Sequence, residues 1–385
     1  MSERIPFHKP ALDDEDVEAV TRELRDGWLT MGPTTHSFET AFCKRIGSAH
    51  AVAVSSGTAA LHLALCAIGL QAGDEVIVPD MTFTATGEVV TYFGAKPVIV
   101  DVDPSTLTID PQAVERAIGK RTKAIIPVHY AGQPCRMDAL LGLASDYDLL
   151  IVEDAAHSLP ATYQGKMVGT IGDLTAFSFY ATKTLTTGEG GMITSENAEW
   201  ADRLRTLRLH GISKDAWKRY AETGSWYYEV SEPGFKYNLT DPQAALGLSQ
   251  LKKLDAANER RAALAHLYTE AFSGSDLVQP PTILEDRTTS WHLYVLRLNL
   301  EKLTIDRARF IDELDLRGIG TSVHFIPLHR HPFYAKSLQY VPGDFPVAER
   351  EYQRIISLPI YPALSSGDAE RVADTVLTVA RAFRR

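Results

Sequence analysis

The sequence has no excess of positive charge. Its 385 residues include 39 lysines and arginines against 49 aspartates and glutamates, which gives a formal net charge of −10 at pH 7. Nucleic-acid-binding proteins, and proteins held on membrane surfaces by basic clusters, usually carry the opposite balance. The composition therefore argues against a nucleic-acid partner and against binding to a membrane surface.

Cysteines are few, and long apolar runs are missing. The three cysteines, Cys43, Cys66 and Cys135, are widely separated and form no Cys-x-x-Cys pair, which is typical of a reducing compartment. No run of 18 apolar residues occurs, so no membrane span is predicted, and the N-terminal MSERIPFHKP lacks the apolar segment of a signal peptide. We expect a cytoplasmic protein.

Short β-rich segments alternate with helical segments between residues 50 and 195. The apolar composition of the β-rich segments is nearly continuous, which is typical of strands buried on both faces. There are seven such candidates: 51–56, 75–79, 97–101, 123–128, 148–154, 175–180 and 190–195. Helical patterns lie between them, for example over 58–70 and 137–147. This alternation predicts an α/β fold with a seven-stranded, mostly parallel sheet sandwiched by helices.

The pattern changes after residue 195, and the chain is longer than one core usually requires. We predict a large domain over 1–250 and a smaller C-terminal α/β domain over 251–385. The helix predicted over 13–25 packs on the small domain or bridges the two. The other elements predicted after residue 195 are helices over 195–211, 240–272, 306–317 and 366–384, strands near 291–298 and 321–326, and an irregular, aromatic-rich segment over 212–237.

The segment Ser55-Ser56-Gly57-Thr58 lies where the first predicted strand turns into a helix. Glycine allows a ligand to approach the main chain closely, and the first N–H groups of a helix have no partner within the helix. A phosphate group is the natural occupant of such a turn. The alternative interpretation is a tight turn in which Thr58 caps the helix.

Two further groups follow neighbouring strands. Asp154 and His157 lie at the end of the fifth predicted strand, and Lys183 follows the sixth. Asp154 could simply cap a helix and Lys183 could be a solvated surface charge. Taken together, however, a phosphate turn, a carboxylate and a lysine at strand ends form the pattern of a pyridoxal phosphate (PLP) site. In such a site the lysine forms a Schiff base, and the carboxylate pairs with the pyridinium nitrogen.

The sequence resembles the DegT/StrS-type sugar-nucleotide aminotransferases, which are fold-type-I PLP-dependent transferases. The resemblance covers nearly the whole chain. It is carried by GWLTMGP (27–33), AVSSGTAALHLAL (53–65), GDEVIVPDMTFTATGEVV (73–90), VEDAAHSLPATYQGKMVG (152–169), FSFYATKTLTTGEGGMI (177–193), KYNLTDPQAALGLSQL (236–251) and GIGTSVHFIPLHRHPFY (318–334). Thr184 is a departure, because relatives often have Asn after the lysine.

The resemblance implies roles for individual residues. Lys183 and Asp154 are the implied catalytic residues, and Asn238 is implied to reach the phosphate from the neighbouring subunit of a homodimer with shared active sites. The other implied cofactor contacts are Gly57, Thr58 and Ser178 at the phosphate, Phe83 on the ring and His157 near the phenolic oxygen; the implied substrate contacts are Trp28, Thr30, His324 and His329. The histidine cluster at 324, 329 and 331 lacks a cysteine or carboxylate, so no metal site is predicted.

The implied activity is transfer of an amino group from L-glutamate to a nucleotide-linked keto-sugar, in the biosynthesis of deoxyaminosugars for polysaccharides or antibiotics. The resemblance favours amination at C4 of a 4-keto-6-deoxyhexose, because enzymes with that regiochemistry have segments similar to KYNLTDPQAALG (236–247), PVHYAG (127–132) and LHRHPFY (328–334). A 4-keto-pentose and a 3-keto-sugar remain alternatives, and the choice between UDP and dTDP stays open. A non-catalytic PLP-binding regulator is disfavoured because Lys183, Asp154 and the phosphate turn are all present. A nucleotide-binding dehydrogenase is disfavoured because no GxGxxG follows the first strand.

Overall fold

The computed structural model describes residues 4–212 and 228–385. All seven strands predicted between residues 50 and 195 form, and they make one sheet. In chain order they are β1 (His50–Val54), β2 (Glu75–Pro79), β3 (Lys96–Val100), β4 (Thr122–Ile125), β5 (Leu150–Asp154), β8 (Leu174–Ser178) and β9 (Gly191–Ser195). A short hairpin of β6 (Thr162–Tyr163) and β7 (Lys166–Met167) lies between β5 and β8.

The strand order in the large sheet is β1-β9-β8-β5-β4-β2-β3. Strand β9 runs antiparallel to β1 and β8, and the other neighbouring pairs are parallel. The carboxyl ends of β5 and β8 therefore meet at one edge, next to the start of the helix that follows β1. The prediction of a mostly parallel seven-stranded sheet is confirmed.

Helices cover both faces of this sheet. Val52 and Val54 of β1 pack into one apolar cluster, whereas Ala51 and Ala53 pack into another. This division follows from the alternation of side chains along a strand. The helices of this part of the chain are α2 (Pro33–Ile46), α3 (Gly57–Ala67), α4 (Ala85–Thr91), α5 (Pro111–Ala117), α6 (Met137–Tyr147) and α7 (Ala198–Leu207).

Helix α8 (Asp241–Phe272) is the longest helix of the described residues and runs through the predicted domain boundary at residue 250 without a break. Its first part packs on the core behind β1, through Ala244 and Leu254. Its last part packs in a second core, through Tyr268 and Phe272. The chain thus changes core along one helix, and the division into 1–250 and 251–385 stays a prediction.

Helix α1 (Asp14–Asp26) packs against the middle of α8. The Gln250 amide donates to the Asp16 carboxylate at 2.8 Å and to the Ala11 carbonyl at 3.1 Å. Lys253 lies 2.9 Å from the other carboxylate oxygen of Asp16. The N-terminal helix is therefore held where α8 passes from the first core to the second.

The second core belongs to a three-stranded antiparallel sheet of β10 (Val278–Gln279), β11 (Tyr294–Leu298) and β12 (Ile355–Leu358). The prediction of a strand near 321–326 is wrong. That segment pairs with β12 only through the bridge between Ser322 and Ser357 and then departs, and the Leu328 N–H donates to the Asp80 carbonyl at the end of β2. The remaining helices are α9 (Arg307–Leu316), α10 (Pro332–Leu338), α11 (Pro346–Arg354) and α12 (Ser366–Ala382). Among the described residues, no helix is both long enough and apolar enough to cross a membrane.

Candidate active site

A cavity of about 460 Å³ opens at the carboxyl ends of β5 and β8. Ligands of open α/β sheets commonly bind at such strand ends. The cavity wall contains eight of the residues predicted from the sequence to bind cofactor or substrate. They are Gly57, Thr58, Phe83, Asp154, His157, Ser178, Lys183 and His324.

The turn after β1 leads directly into α3, as predicted. The helix is capped by Ser56, whose side chain accepts a hydrogen bond from the Ala59 N–H at 3.0 Å, and not by Thr58. A Cβ atom on Gly57 would lie 2.8 Å from the Cβ of Ser178. Only glycine allows α3 to begin this close to the end of β8, with its N-terminal N–H groups beside the Ser178 hydroxyl.

Asp154 ends β5 and is buried at the cavity wall. Its Oδ2 accepts a hydrogen bond from the Thr86 hydroxyl at 2.8 Å, and its Oδ1 accepts one from the Ala156 N–H at 3.1 Å. Burial raises the pKa of Asp154, and the two hydrogen bonds and the nearby Lys183 act against that rise. The Thr86 hydroxyl is also 2.7 Å from that of Thr82.

Thr86 is a residue that the sequence analysis missed. It lies on α4, in the motif TFTAT that contains Phe83. Nothing in the motif indicates which of its threonines reaches Asp154, because the two residues are 68 positions apart. Only the packing of α4 onto the sheet brings them together.

Lys183 follows β8, with its N–H donating to the Tyr180 carbonyl at 2.9 Å. Burial lowers the pKa of its amine to about 8, and the charge of Asp154 opposes that shift. An amine with this pKa is neutral in a substantial fraction of molecules near neutral pH, which is the state that attacks a carbonyl group. Lys183 and Asp154 therefore line one cavity, and their catalytic roles stay a prediction.

Three imidazoles and two phenylalanines complete the wall near Lys183. His157 lies 5.7 Å from the ring centroid of Phe325 in a stacked arrangement, and Phe83 lies 5.9 Å from the same ring. His324 is hydrogen-bonded to the Ser357 hydroxyl at 2.8 Å, and burial lowers its pKa to about 4. The third imidazole, His292, was not singled out from the sequence.

Four predicted site residues lie outside this cavity wall. His329 is 2% exposed, and its Nδ1 is 2.6 Å from the Asp80 carboxylate, so its contact with the substrate stays a prediction. Trp28 donates to the Met31 carbonyl at 3.4 Å, and the Thr30 carbonyl accepts from the Asp241 N–H at 3.1 Å.

Asn238 is the fourth of these residues. It pairs with Val54 at the end of β1 and donates from its side chain to the Leu239 carbonyl at 3.2 Å. Its predicted contact is with a neighbouring subunit, so its position in one chain does not test that contact. The predicted aromatic segment is only partly described, and Trp217, Tyr220, Trp226 and Tyr227 lie outside the described residues.

The residues present fit PLP. The Nδ1 atom of His157 is buried and has no hydrogen-bond partner among the described residues, as expected where a polar ligand completes the site. Gly57 and Ser178 form a close-packed cradle at a helix N-terminus, which suits a phosphate. Asp154 offers a buried carboxylate to a cationic ring nitrogen, and Lys183 offers an amine.

Comparison with known proteins decides the family. The sequence model of the DegT/DnrJ/EryC1/StrS aminotransferase family matches residues 10–377. The chain belongs to this family. The prediction of an aminotransferase with this fold is therefore confirmed.

Individual proteins resemble the chain over nearly its whole length. The spore coat polysaccharide biosynthesis protein SpsC of Bacillus subtilis is 48% identical over 378 residues, covering 98% of this chain and 97% of SpsC. The PLP form of the putative sugar aminotransferase Spr1654 from Streptococcus pneumoniae superposes with a TM-score of 0.91 at 35% identity, covering 98% of this chain and 99% of the other.

A third relative is PseC of Helicobacter pylori, an aminotransferase involved in the biosynthesis of pseudoaminic acid. It superposes with a TM-score of 0.93 at 30% identity and covers 99% of this chain and 100% of its own. Spr1654 is also known in a pyridoxamine phosphate form. Together with the family match, these structures confirm the predicted cofactor, pyridoxal phosphate.

Proposed function

We propose that the protein transfers an amino group from L-glutamate to C4 of a nucleotide-linked 4-keto-6-deoxyhexose. The observation that carries the proposal is that Lys183 and Asp154 face the same cavity beside the Gly57–Ser178 cradle. The sugar class is supported by relatives that are described as sugar aminotransferases or as a polysaccharide biosynthesis protein. The 4-keto position and the glutamate donor rest on the sequence resemblance.

Lys183 binds the cofactor and moves the proton in this proposal. Its Nζ, whose pKa burial lowers to about 8, would hold the cofactor through its aldehyde carbon. As a free amine, Nζ would be placed to take the proton from the donor Cα and to hold it for return. A base with a pKa near the working pH suits both directions of this transfer.

Asp154 stabilises charge on the ring. When bound, PLP supplies an electron sink for the bond broken at the donor Cα. The carboxylate of Asp154 favours the protonated ring nitrogen that this chemistry needs, because opposite charges in a buried site stabilise each other. The hydrogen bonds from Thr86 and Ala156 orient that carboxylate and favour its ionised form.

The remaining contacts follow the same scheme. Gly57, Thr58 and Ser178 hold the phosphate, Phe83 packs on the ring, and His157 faces the phenolic oxygen. The proposed contacts with the sugar nucleotide are His324, Trp28 and Thr30. Of these, Trp28 and Thr30 do not line the cavity of their own chain. The protein acts as a cytoplasmic homodimer, and Asn238 of one subunit completes the phosphate site of the other.

One experiment tests the lysine assignment. The purified protein is loaded with PLP, reduced with borohydride and digested, and the labelled peptide is sequenced by mass spectrometry. We expect the label on Lys183 of the wild type, and we expect Lys183→Ala to show no visible absorption band. The control Lys166→Ala, at an exposed lysine, should show both the label on Lys183 and the visible band. A label on any other lysine would refute the assignment.

A second experiment tests the substrate. The loaded protein is incubated with glutamate and a panel of UDP- and dTDP-linked 4-keto-hexoses, 4-keto-pentoses and 3-keto-sugars. The position of the new C–N bond is then read by NMR. Amination at C3 would contradict the proposed position, and a preference for a pentose would contradict the proposed sugar. Neither result would contradict the assignment as a transaminase.

A further inference from the structure

His292 is a cavity residue with no role in the scheme above. It is 6% exposed, precedes β11 and lines the cavity together with Lys183 and His157. Its ring centroid lies 4.4 Å from that of His157, with an angle of 40° between the ring planes. The two imidazoles therefore shield each other from water.

Both rings have a ring nitrogen that is buried without a partner. Among the described residues, Nδ1 of His157 and Nδ1 of His292 accept and donate no hydrogen bond. Leaving such groups unsatisfied costs free energy, so native proteins usually retain them where a ligand or a function requires it. Two such atoms on neighbouring rings in one cavity wall point to a functional pair.

The chain around His292 is fixed by contacts that also reach His157. The Ser290 hydroxyl donates to the His157 carbonyl, and the Ser290 N–H donates to the Gly132 carbonyl at 3.3 Å. Trp291 has a φ of +49°, a left-handed conformation that bulky residues seldom adopt. The Trp291 carbonyl accepts a hydrogen bond at 3.3 Å from the guanidinium of Arg261, which is buried.

The charged groups around the pair disfavour a proton on either ring. Lys183 and His324 act on both rings, and His157 and Arg261 act on His292. Two carboxylates, Asp154 and Glu189, lie in the same wall. Burial above all lowers the pKa of His157 and of His292 well below 6.5, and the charge of Lys183 acts in the same direction. Both imidazoles are therefore neutral at physiological pH.

We propose that His292 is a positioning residue for transamination: its imidazole packs on His157, excludes water from that ring and holds it uncharged beside Lys183. This inference rests on the proposed function, because it concerns the residue assigned to the phenolic oxygen of the cofactor. A neutral His157 can donate one hydrogen bond in a fixed tautomer, whereas a charged one would add a cation beside the Lys183 amine.

The test follows the visible absorption band of the PLP-loaded protein between pH 5.5 and 8.5. We expect His292→Ala to admit water to His157 and to produce a new transition with a midpoint near the ordinary histidine pKa of about 6.5. One pH unit below that midpoint, the dissociation constant for PLP should be about tenfold higher than above it. The wild type and the exposed control His266→Ala lack this transition.

Further variants separate a positioning role from a structural one. His292→Phe keeps a ring against His157, so the new transition should be absent, and the double variant His157→Gln/His292→Ala should lose it. A flat profile in His292→Ala, or a transition that persists in the double variant, would overturn the inference. If the wild type shows no visible band at all, the proposed function fails instead.

The wild-type protein provides a measurement that does not depend on the folding of any variant. Histidine side chains labelled with carbon-13 are titrated by NMR, and His157 is assigned through His157→Gln. The inference requires the His157 signal to stay constant down to pH 5.5. A titration midpoint near 6.5 would overturn it.

Discussion

At the residue scale, the hydroxyl of Thr86 opposes the effect of burial on Asp154. Burial alone raises the pKa of this carboxyl group, and the hydrogen bond at 2.8 Å counteracts that rise. A hydrogen bond to a charged group contributes about 1.5–3 kcal/mol. The hydroxyl that favours the ionised form of Asp154 is thus supplied by another element, α4.

We predict that Thr86→Val slows the half-reaction with glutamate by about tenfold or more, since each 1.36 kcal/mol corresponds to a factor of ten. Thr86→Ser keeps a hydroxyl and should recover most of the rate. Stopped-flow absorbance measures the half-reaction, and the exposed Thr40→Val serves as the control. Equal half-reaction rates in Thr86→Val and Thr86→Ser would show that the hydroxyl does not act on Asp154.

The pKa of Lys183 gives a prediction about pH. Burial lowers that pKa from 10.5 to about 8, so the neutral amine is about a tenth of the population at pH 7 and the majority above pH 8. The rate at which cofactor-free protein captures PLP should therefore rise with pH through about 8 and then level off. Absorbance after rapid mixing measures this rate.

A contrary result would be easy to recognise. An exposed lysine has a pKa near 10.4, so a capture rate that keeps rising to that pH would show that burial does not act on Lys183. Lys183→Ala, mixed under the same conditions, gives the background of unspecific capture by other lysines.

At the element scale, the start of α3 is shaped by its contact with the end of β8. The helix begins at Gly57, one residue after the Ser56 cap, and leaves no room for a side chain against Ser178. Helix α6 offers a contrast, because a Cβ atom on its Gly142 would have no neighbour within 4 Å. A side chain would therefore be excluded at Gly57 but accommodated at Gly142.

We predict that Gly57→Ala raises the dissociation constant for PLP at least tenfold, because α3 or Ser178 must shift to relieve the 2.8 Å contact. Gly142→Ala should leave PLP binding unchanged and stabilise the protein by about 0.5–1 kcal/mol, since alanine favours a helix interior. Fluorescence titration and thermal unfolding of the cofactor-free proteins measure the two effects. Unaltered PLP affinity in Gly57→Ala would argue against the phosphate site.

At the scale of the whole molecule, the proposed shared active site can be tested with hybrid dimers. Asn238 lies beside the end of β1 in its own chain and does not line that chain's cavity. Asn238→Asp would place a carboxylate beside the partner's phosphate and should repel it. Lys183→Ala and Asn238→Asp chains are mixed after dissociation, and tagged hybrids are purified.

If Asn238 acts across the interface, one site of each hybrid carries both lesions and the other carries neither, so about half of the wild-type activity per dimer should return. If Asn238 acts within its own chain, each site carries one lesion and the hybrid is inactive. This comparison requires that the Lys183→Ala and Asn238→Asp homodimers are each folded and inactive. Inactive hybrids would therefore refute the shared site.

The sequence predicted the large sheet because its strands are apolar on both faces. Segments such as 75–79 and 148–154 leave few alternatives to a buried parallel strand, and both are strands in the structure. A strand was also predicted near 321–326. Its main chain instead passes from Ser357 to Asp80, and such a choice of partner is not encoded in a local pattern.

The sequence by itself determined the family, the order of the strands along the chain and the residues at their carboxyl ends, because these depend on local patterns and motifs. Only the tertiary structure decided that Thr86 bonds Asp154, that His292 faces His157 and that His329 is withdrawn against Asp80. These pairs are separated by 68, 135 and 249 positions respectively (292 − 157 for the second). Such contacts depend on how helices and loops pack onto the sheet, and packing joins residues whose distance in sequence carries no signal.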